Sequence, residues 1–202
     1  MNGEKIIKKY PNLFENATKP PTETCMCWGL ECDEGWHELI DNLCDFLENQ
    51  KSFSYIDLYD ERGNLNQIRY SYPNVVFDQI KEKFGSLTIY FRVKAPELND
   101  YIDKMSEYLH LSIFRKIFMK LFQRKKFNSI EKNSIELEKV YRHINSYAEG
   151  VVGFAEALSR KTCEVTGKSG KLRKNGCWYK TVCDEIAEKE GYEEILQEKE
   201  ES

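Results

Sequence analysis

Apolar positions recur along this chain with two different periods, and the period separates predicted helices from predicted strands. Over residues 35–50 they fall three or four apart, which is typical of a helix with one apolar face. The same spacing predicts helices over 97–127, with a break near His110, and over 130–160. Residues 73–83 open with proline and asparagine and then carry several apolar side chains, so a short helix is predicted there too.

Alternation of apolar and polar residues predicts the strands. Residues 86–93 are rich in β-branched and aromatic side chains and lie between a glycine and a proline, which makes them the clearest strand. Residues 52–59 and 66–72 are strand-like and are joined by a turn at 60–64. Gly85 is expected to end the preceding helix with a positive φ, because glycine has no Cβ to strain that conformation.

The cysteines near the C-terminus have the spacing of a zinc ribbon that lacks half of its ligands. A knuckle of the C-x-x-C type begins at Cys163, but Thr166 takes its second position. Cys183 stands where a second knuckle would begin, and Ile186 takes its partner position. Structural zinc needs four ligands. The segment 161–183 is therefore predicted to be a degenerate zinc-ribbon-like hairpin without a metal.

Together these elements predict an α+β fold, with a small antiparallel sheet, long helices and the degenerate ribbon-like hairpin. A final charged helix is predicted over 184–201. The chain has no run of 18 apolar residues, so no membrane span is expected.

Composition narrows the function classes only a little. The 202 residues carry 30 basic and 34 acidic side chains, so the net charge of −4 gives no general argument for nucleic-acid binding. Seven cysteines form no evident disulfide framework, and the N-terminus lacks an apolar leader. Reduced thiols in the cytoplasm are therefore expected.

Three motifs in order carry a resemblance to a known family. They are CMCWGLECDEGW at 25–36, IKEKFGSL at 80–87, and FAE at 154–156 followed by TCEVTG at 162–167. On these motifs the chain resembles a family of small uncharacterised proteins of bacteriophages and prophages. The resemblance implies a phage-type origin and supplies no established activity.

The same resemblance implies the domain organisation. Members of that family often pass from the strand to the last long helix by a short link. It therefore implies a single α+β domain made of 1–96 and 149–202, with 97–148 as a helical insertion. The chain departs from the family pattern where Asp33 and Glu34 replace a Gly-Asp pair and Cys177 replaces a glycine.

The sequence shows no clear catalytic constellation. His37 lies at a helix start, and His110 and His143 lie in the insertion, outside the matched motifs. A Cys/His pair is left as the less expected alternative. The carboxylates around Asp33 are most simply explained by helix capping and macrodipole stabilisation. No catalytic residue, cofactor or metal is therefore predicted.

Cations and flat rings suggest a ligand site instead. Guanidinium or ammonium groups bind phosphate and aromatic rings stack on bases, a combination suited to a nucleotide. A solvated basic face with tryptophans in the core remains an alternative explanation. The predicted ligand-binding residues are Lys81, Lys83, Tyr90, Arg92, Trp178 and Lys180.

Residues 115–126 predict a basic amphipathic helix that could contact a partner, a nucleic acid, a membrane surface or its own domain. The apolar residues of the insertion 97–148 exceed what a small domain readily buries, so a homodimer through this insertion is expected. These apolar residues include Ile113, Phe114, Ile117, Phe118, Leu121 and Phe122.

The leading functional hypothesis is a phage-type counter-defence protein that sequesters a small nucleotide-derived immune signal without catalysis, in the cytoplasm of an infected bacterium. One alternative is an inhibitor that binds a host protein or nucleic acid through the basic insertion, although nucleic acid is the less expected partner. A hydrolase of nucleotide signals is the third hypothesis.

Overall fold

The computed structural model describes residues 2–195, apart from the side chains of Phe114, Phe118 and Phe122. The helices are α1 (Gly3–Lys9), α2 (His37–Asn49), α3 (Asn99–Leu109), α4 (Ile113–Phe122), α5 (Arg124–Ser159) and α6 (Asp184–Glu190). The strands are β1 (Leu30–Glu31), β2 (Ser52–Tyr59), β3 (Leu65–Tyr72), β4 (Val75–Lys83), β5 (Ser86–Val93), β6 (Lys171–Asn175), β7 (Trp178–Val182) and β8 (Glu193–Glu194).

The strands form three small sheets, and with the helices they confirm the predicted α+β class. One sheet has the order β1-β4-β5, in which β1 runs parallel to β4. β2 and β3 form an antiparallel hairpin from Ser52↔Tyr72 to Tyr59↔Leu65. In the third sheet β6 pairs antiparallel with both β7 and β8.

The described chain divides into two compact units. Unit 1 takes its residues from 1–50, 75–92 and 149–202, and unit 2 from 51–74 and 93–148. The sequence placed the boundary at 97 and assigned 51–74 to the larger domain. The hairpin β2–β3 belongs to unit 2 because its apolar side chains pack in one core with the first two-thirds of α5.

That core of unit 2 shows why the insertion is more than a set of helices. Buried side chains from the hairpin meet buried side chains from the loop before α3 and from α5. The participants include Ile56, Leu58, Tyr70, Leu98, Leu137 and Ile144. A hairpin cannot bury one face alone, so these helices supply the apolar surface that it needs.

The prediction of a short helix over 73–83 was wrong, since 75–83 is strand β4. Its neighbours along the sheet are β1 on one side and β5 on the other. Gly85 does have a positive φ of 76°, but it sits in the turn between two strands and does not end a helix. The β-branched pair Val75 and Val76, both buried, suits a strand in a sheet.

The other main elements agree with the spacing of apolar residues. Helix α2, the long helix α5 and the break after α3 near His110 are all present. The last helix is shorter than predicted, because α6 ends at Glu190 and Gly191 follows it in the left-handed conformation. The remainder of that prediction, from 196 onward, lies outside the described residues. Within residues 2–195 no helix is long and apolar enough to cross a bilayer.

Candidate functional site

The exposed side of β5 places a flat ring and a cation beside a cavity. Tyr90 is 44% exposed. The Nζ atom of Lys81, on β4, lies 5.3 Å from the centroid of the Tyr90 ring, which is cation–π distance. A cavity of about 500 Å³ lies next to them, lined by residues 21–25 together with Asp78, Gln79, Tyr90 and Arg92. We call this the Tyr90 cavity.

Arg92 is engaged by acidic and amide groups of unit 1. Its Nη1 lies 3.2 Å from a carboxylate oxygen of Asp78, and its Nη2 lies 3.4 Å from one of Glu15. Nη2 also donates to the side-chain oxygen of Asn16 at 3.1 Å. Two carboxylates therefore offset the charge of this guanidinium, and a phosphate would have to compete with them.

The turn between β4 and β5 meets the hairpin formed by β6 and β7. The hydroxyl of Thr181 donates to the carbonyl of Gly85 at 2.6 Å. A Cβ atom on Gly85 would lie 2.2 Å from Cδ1 of Leu172 and 3.3 Å from backbone atoms of Lys180 and Thr181. A side chain on Gly85 would therefore require the Leu172 side chain to move, at a φ that favours glycine. We call this contact the hairpin junction.

The predicted ligand site is split between these two places. Lys81, Tyr90 and Arg92 lie along the sheet, whereas Trp178 and Lys180 lie on the hairpin. An extended strand rises about 3.3 Å per residue, so Arg92 lies roughly 23 Å along the strand from Gly85. The sequence-based prediction placed the sheet beside the hairpin, and the two are in contact at Gly85 and Thr181. It did not consider how far apart the residues along β5 lie.

The two hairpin residues of the predicted site differ in their availability. Trp178 is 78% exposed, so it is not buried in the core as the alternative explanation required. Trp36 has no exposed surface and is a core tryptophan. Lys180, in contrast, already forms an ion pair, because its Nζ lies 2.5 Å from a carboxylate oxygen of Asp33. The remaining predicted residue, Lys83, lies at the end of β4 and places its Nζ 5.9 Å from the centroid of the Phe84 ring.

Lys180 belongs to a charge cluster around the buried Glu164, which the sequence reasoning did not find. The second carboxylate near its Nζ is Glu164, at 3.9 Å. Glu164 is 3% exposed; its Oε1 accepts a hydrogen bond from the backbone amide of Asp33, and its Oε2 has no hydrogen-bond partner. Burial raises the pKa of this carboxyl to about 7, although the Asp33 amide and Lys180 act in the opposite direction.

Distance along the chain explains why this cluster was missed. Asp33 was interpreted as a helix cap, but its side chain makes no capping hydrogen bond and binds Lys180 instead. Its contact with Glu164 joins residues 131 positions apart. The available signal was the presence of Asp33 and Glu164 in two of the three motifs, and nothing in that spacing shows that the motifs touch.

The described residues offer no evident catalytic machinery. His37 is buried in unit 1, and the ring of His143 lies 5.1 Å from that of Tyr72 in unit 2. No group of three or more His, Cys, Asp and Glu side chains within residues 2–195 is arranged to hold a metal ion.

No protein-family model, curated protein or solved structure matches this chain.

Proposed function

We propose that this protein binds and sequesters a small nucleotide-derived molecule without transforming it, as a phage-type counter-defence protein would. The observation that supports the proposal is the Tyr90 ring, which lines a cavity of about 500 Å³ and lies 5.3 Å from the Lys81 ammonium. Ligand pockets commonly have volumes of about 300–1,000 Å³. A molecule with a base and a phosphate fits that size and those two groups.

The charges around the cavity suggest how such a ligand would lie. Glu23 and Asp78 line one side of it, and Arg92 is held by Asp78. A phosphate would be repelled by those carboxylates and attracted to Lys81, while the base stacks on Tyr90. In this arrangement Arg92 is a positioning residue, because it ties the strand to Glu15 and Asn16.

The experiment is a calorimetric titration of the protein with a panel of cyclic nucleotides and ADP-ribose derivatives. For any member that binds, Lys81→Ala and Tyr90→Ala should each weaken affinity about ten- to a hundred-fold, since a charge-assisted contact contributes roughly 1.5–3 kcal/mol. Lys132→Ala is the matched control, because Lys132 makes a similar contact with the Tyr59 ring in unit 2, at 4.7 Å. Binding that survives both cavity substitutions would show that the ligand lies elsewhere.

Two exposed residues, Trp178 on the hairpin and Lys83 at the end of β4, are proposed as a second contact surface. The description of 161–183 as a degenerate zinc ribbon also remains a proposal. So does the cytoplasmic location in an infected bacterium, which follows only from the proposed function.

A second candidate function has one specific observation in its favour. On α4 the side chains of Ile113, Ile117 and Leu121 are 75%, 51% and 68% exposed, at successive four-residue steps. Residues 108–130 contain six basic and no acidic side chains. An apolar stripe with basic flanks suits an inhibitor that binds an acidic groove on a host protein. Nucleic acid would use the charge but leave the stripe unpaired.

A further inference from the structure

Two pairs of residues at the base of the β6–β7 hairpin lie together although 17 residues separate Thr166 from Cys183. The first pair is Cys163 and Thr166, and the second is Cys183 and Ile186. Cys163 has no exposed surface and packs in one cluster with Cys183 and Ile186. The hydroxyl of Thr166 is hydrogen-bonded to the sulfur of Cys163 and lies 3.6 Å from the sulfur of Cys183. The two thiols therefore share one hydroxyl group.

The backbone around Cys163 forms a tight turn directed at its sulfur. The amide of Gly167 donates to the carbonyl of Cys163 at 2.8 Å, and the amide of Cys163 donates to the carbonyl of Lys168 at 2.7 Å. The backbone amides of Cys183, Thr166 and Val165 all point to the sulfur of Cys163. Amide donors of this kind stabilise a thiolate over a thiol.

We infer that Cys163 and Cys183 form a two-thiolate site for a soft monovalent cation of the copper(I) class. Zinc is excluded as the resident ion because it needs four ligands, whereas Thr166 is a weak ligand and Ile186 supplies none. Thiolates suit copper(I), zinc and iron–sulfur clusters. Of these, copper(I) is the one that two thiolates can hold alone. The arrangement is a zinc ribbon reduced to the two ligands that a softer ion can use.

The surroundings provide access and charge balance. A cavity of about 340 Å³ opens on Cys183 and is lined also by Lys168, Asp184 and Glu185. On binding, each thiol gives up its proton to solvent, and two thiolates with one copper(I) leave a net charge of −1. The ammonium of Lys168 is paired with Glu185 at 2.8 Å and also lies close enough to both sulfurs to interact favourably with that charge.

The test is an anaerobic titration with copper(I) in competition with a chromophoric copper(I) chelator. Cys25, Cys27, Cys32 and Cys177 are first replaced by serine in the full chain, because Cys25 and Cys177 are exposed and Cys27 and Cys32 are partly so. That background should take one equivalent of copper(I). Adding Cys163→Ser or Cys183→Ser should weaken the binding at least about a hundred-fold. No competition with the chelator, or equal binding after either substitution, would overturn the site.

A gain-of-ligand variant keeps the proposal testable if the serine variants do not fold. Thr166→Cys combined with Ile186→Cys completes four thiolates at positions that already converge. This variant should bind one zinc per chain, measured by elemental analysis after dialysis, while the parent binds none. A folded double variant that takes up no zinc would show that the four positions lack metal-binding geometry.

Discussion

At the scale of single residues, the cluster of Asp33, Glu164 and Lys180 shows how burial and charge compete. A carboxylate with one unpaired buried oxygen is destabilised by desolvation more than a lysine 3.9 Å away stabilises it. The pKa of Glu164 is therefore raised to about 7, while hydrogen bonding to Asp33 keeps the pKa of Lys180 above its usual value despite partial burial. The cluster joins the loop before α2 to the segment that carries Glu164 and to strand β7.

This imbalance predicts a dependence of stability on pH. A carboxyl whose pKa is raised from 4.5 to about 7 by folding favours the folded state below pH 4.5, and that contribution is lost as the pH rises through 7. Glu164→Gln mimics the protonated group. It should match the parent at pH 4.5 and exceed its free energy of unfolding by about 3 kcal/mol at pH 8.

Chemical denaturation of both proteins between pH 4.5 and 8 measures the difference. Glu188→Gln, on the exposed part of α6, is the matched control and should follow the parent throughout. Parallel curves for the parent and Glu164→Gln would mean that Glu164 does not titrate in this window.

At the scale of elements, local patterns of apolar residues predicted the elements whose pairing partners lie close in sequence. They also predicted the elements whose apolar spacing repeats over many residues. The stripe on α2 and the alternation in β5 identified both elements. Strand β4 was mistaken for a helix because its buried residues, such as Val76, Phe77 and Ile80, fit both periods. Residues 75–83 form a strand because they pair with β1, which lies some 50 residues earlier. No local pattern contains that information.

The hairpin junction predicts a strong effect at Gly85. Gly85→Ala would place a Cβ atom 2.2 Å from Leu172 at a φ of 76°, so the variant should lose a few kcal/mol of stability, measured by thermal melting. Gly176→Ala is the matched control, because Gly176 has a φ of 58° and open space around it. It should lose only about 1 kcal/mol from backbone strain. Equal losses would mean that the close approach to Leu172 is not rigid.

At the scale of the whole molecule, the sequence indicated which residue types the proposed site would use, but not how folding arranges them. It named Lys81, Tyr90 and Trp178 as cations and rings, and the structure places the turn between β4 and β5 against the hairpin. The sequence could not show that β5 separates Tyr90 from Trp178, or that carboxylates already engage Arg92. Those facts depend on which distant groups folding brings together.

The predicted homodimer through 97–148 has a testable salt dependence. Its exposed apolar residues on α4 are Ile113, Ile117 and Leu121, while the side chains of the three phenylalanines lie outside the described part. Two copies of this basic helix would repel one another at low ionic strength. Light scattering at micromolar concentration should therefore show more dimer at 500 mM than at 50 mM salt, as a rough guide to the screened and unscreened regimes. A monomer under both conditions would contradict the dimer.

The central claim, binding without catalysis, is tested most directly by the state of the ligand after binding. The protein is incubated with the panel of cyclic nucleotides and ADP-ribose derivatives, separated from free ligand, denatured, and its released contents are analysed by mass spectrometry. If the protein sequesters its ligand, we expect one member of the panel to be recovered unaltered in a fixed ratio to the chain. The Tyr90→Ala protein should release none. Recovery of an altered product would show an enzyme, and recovery of nothing from the parent would contradict sequestration.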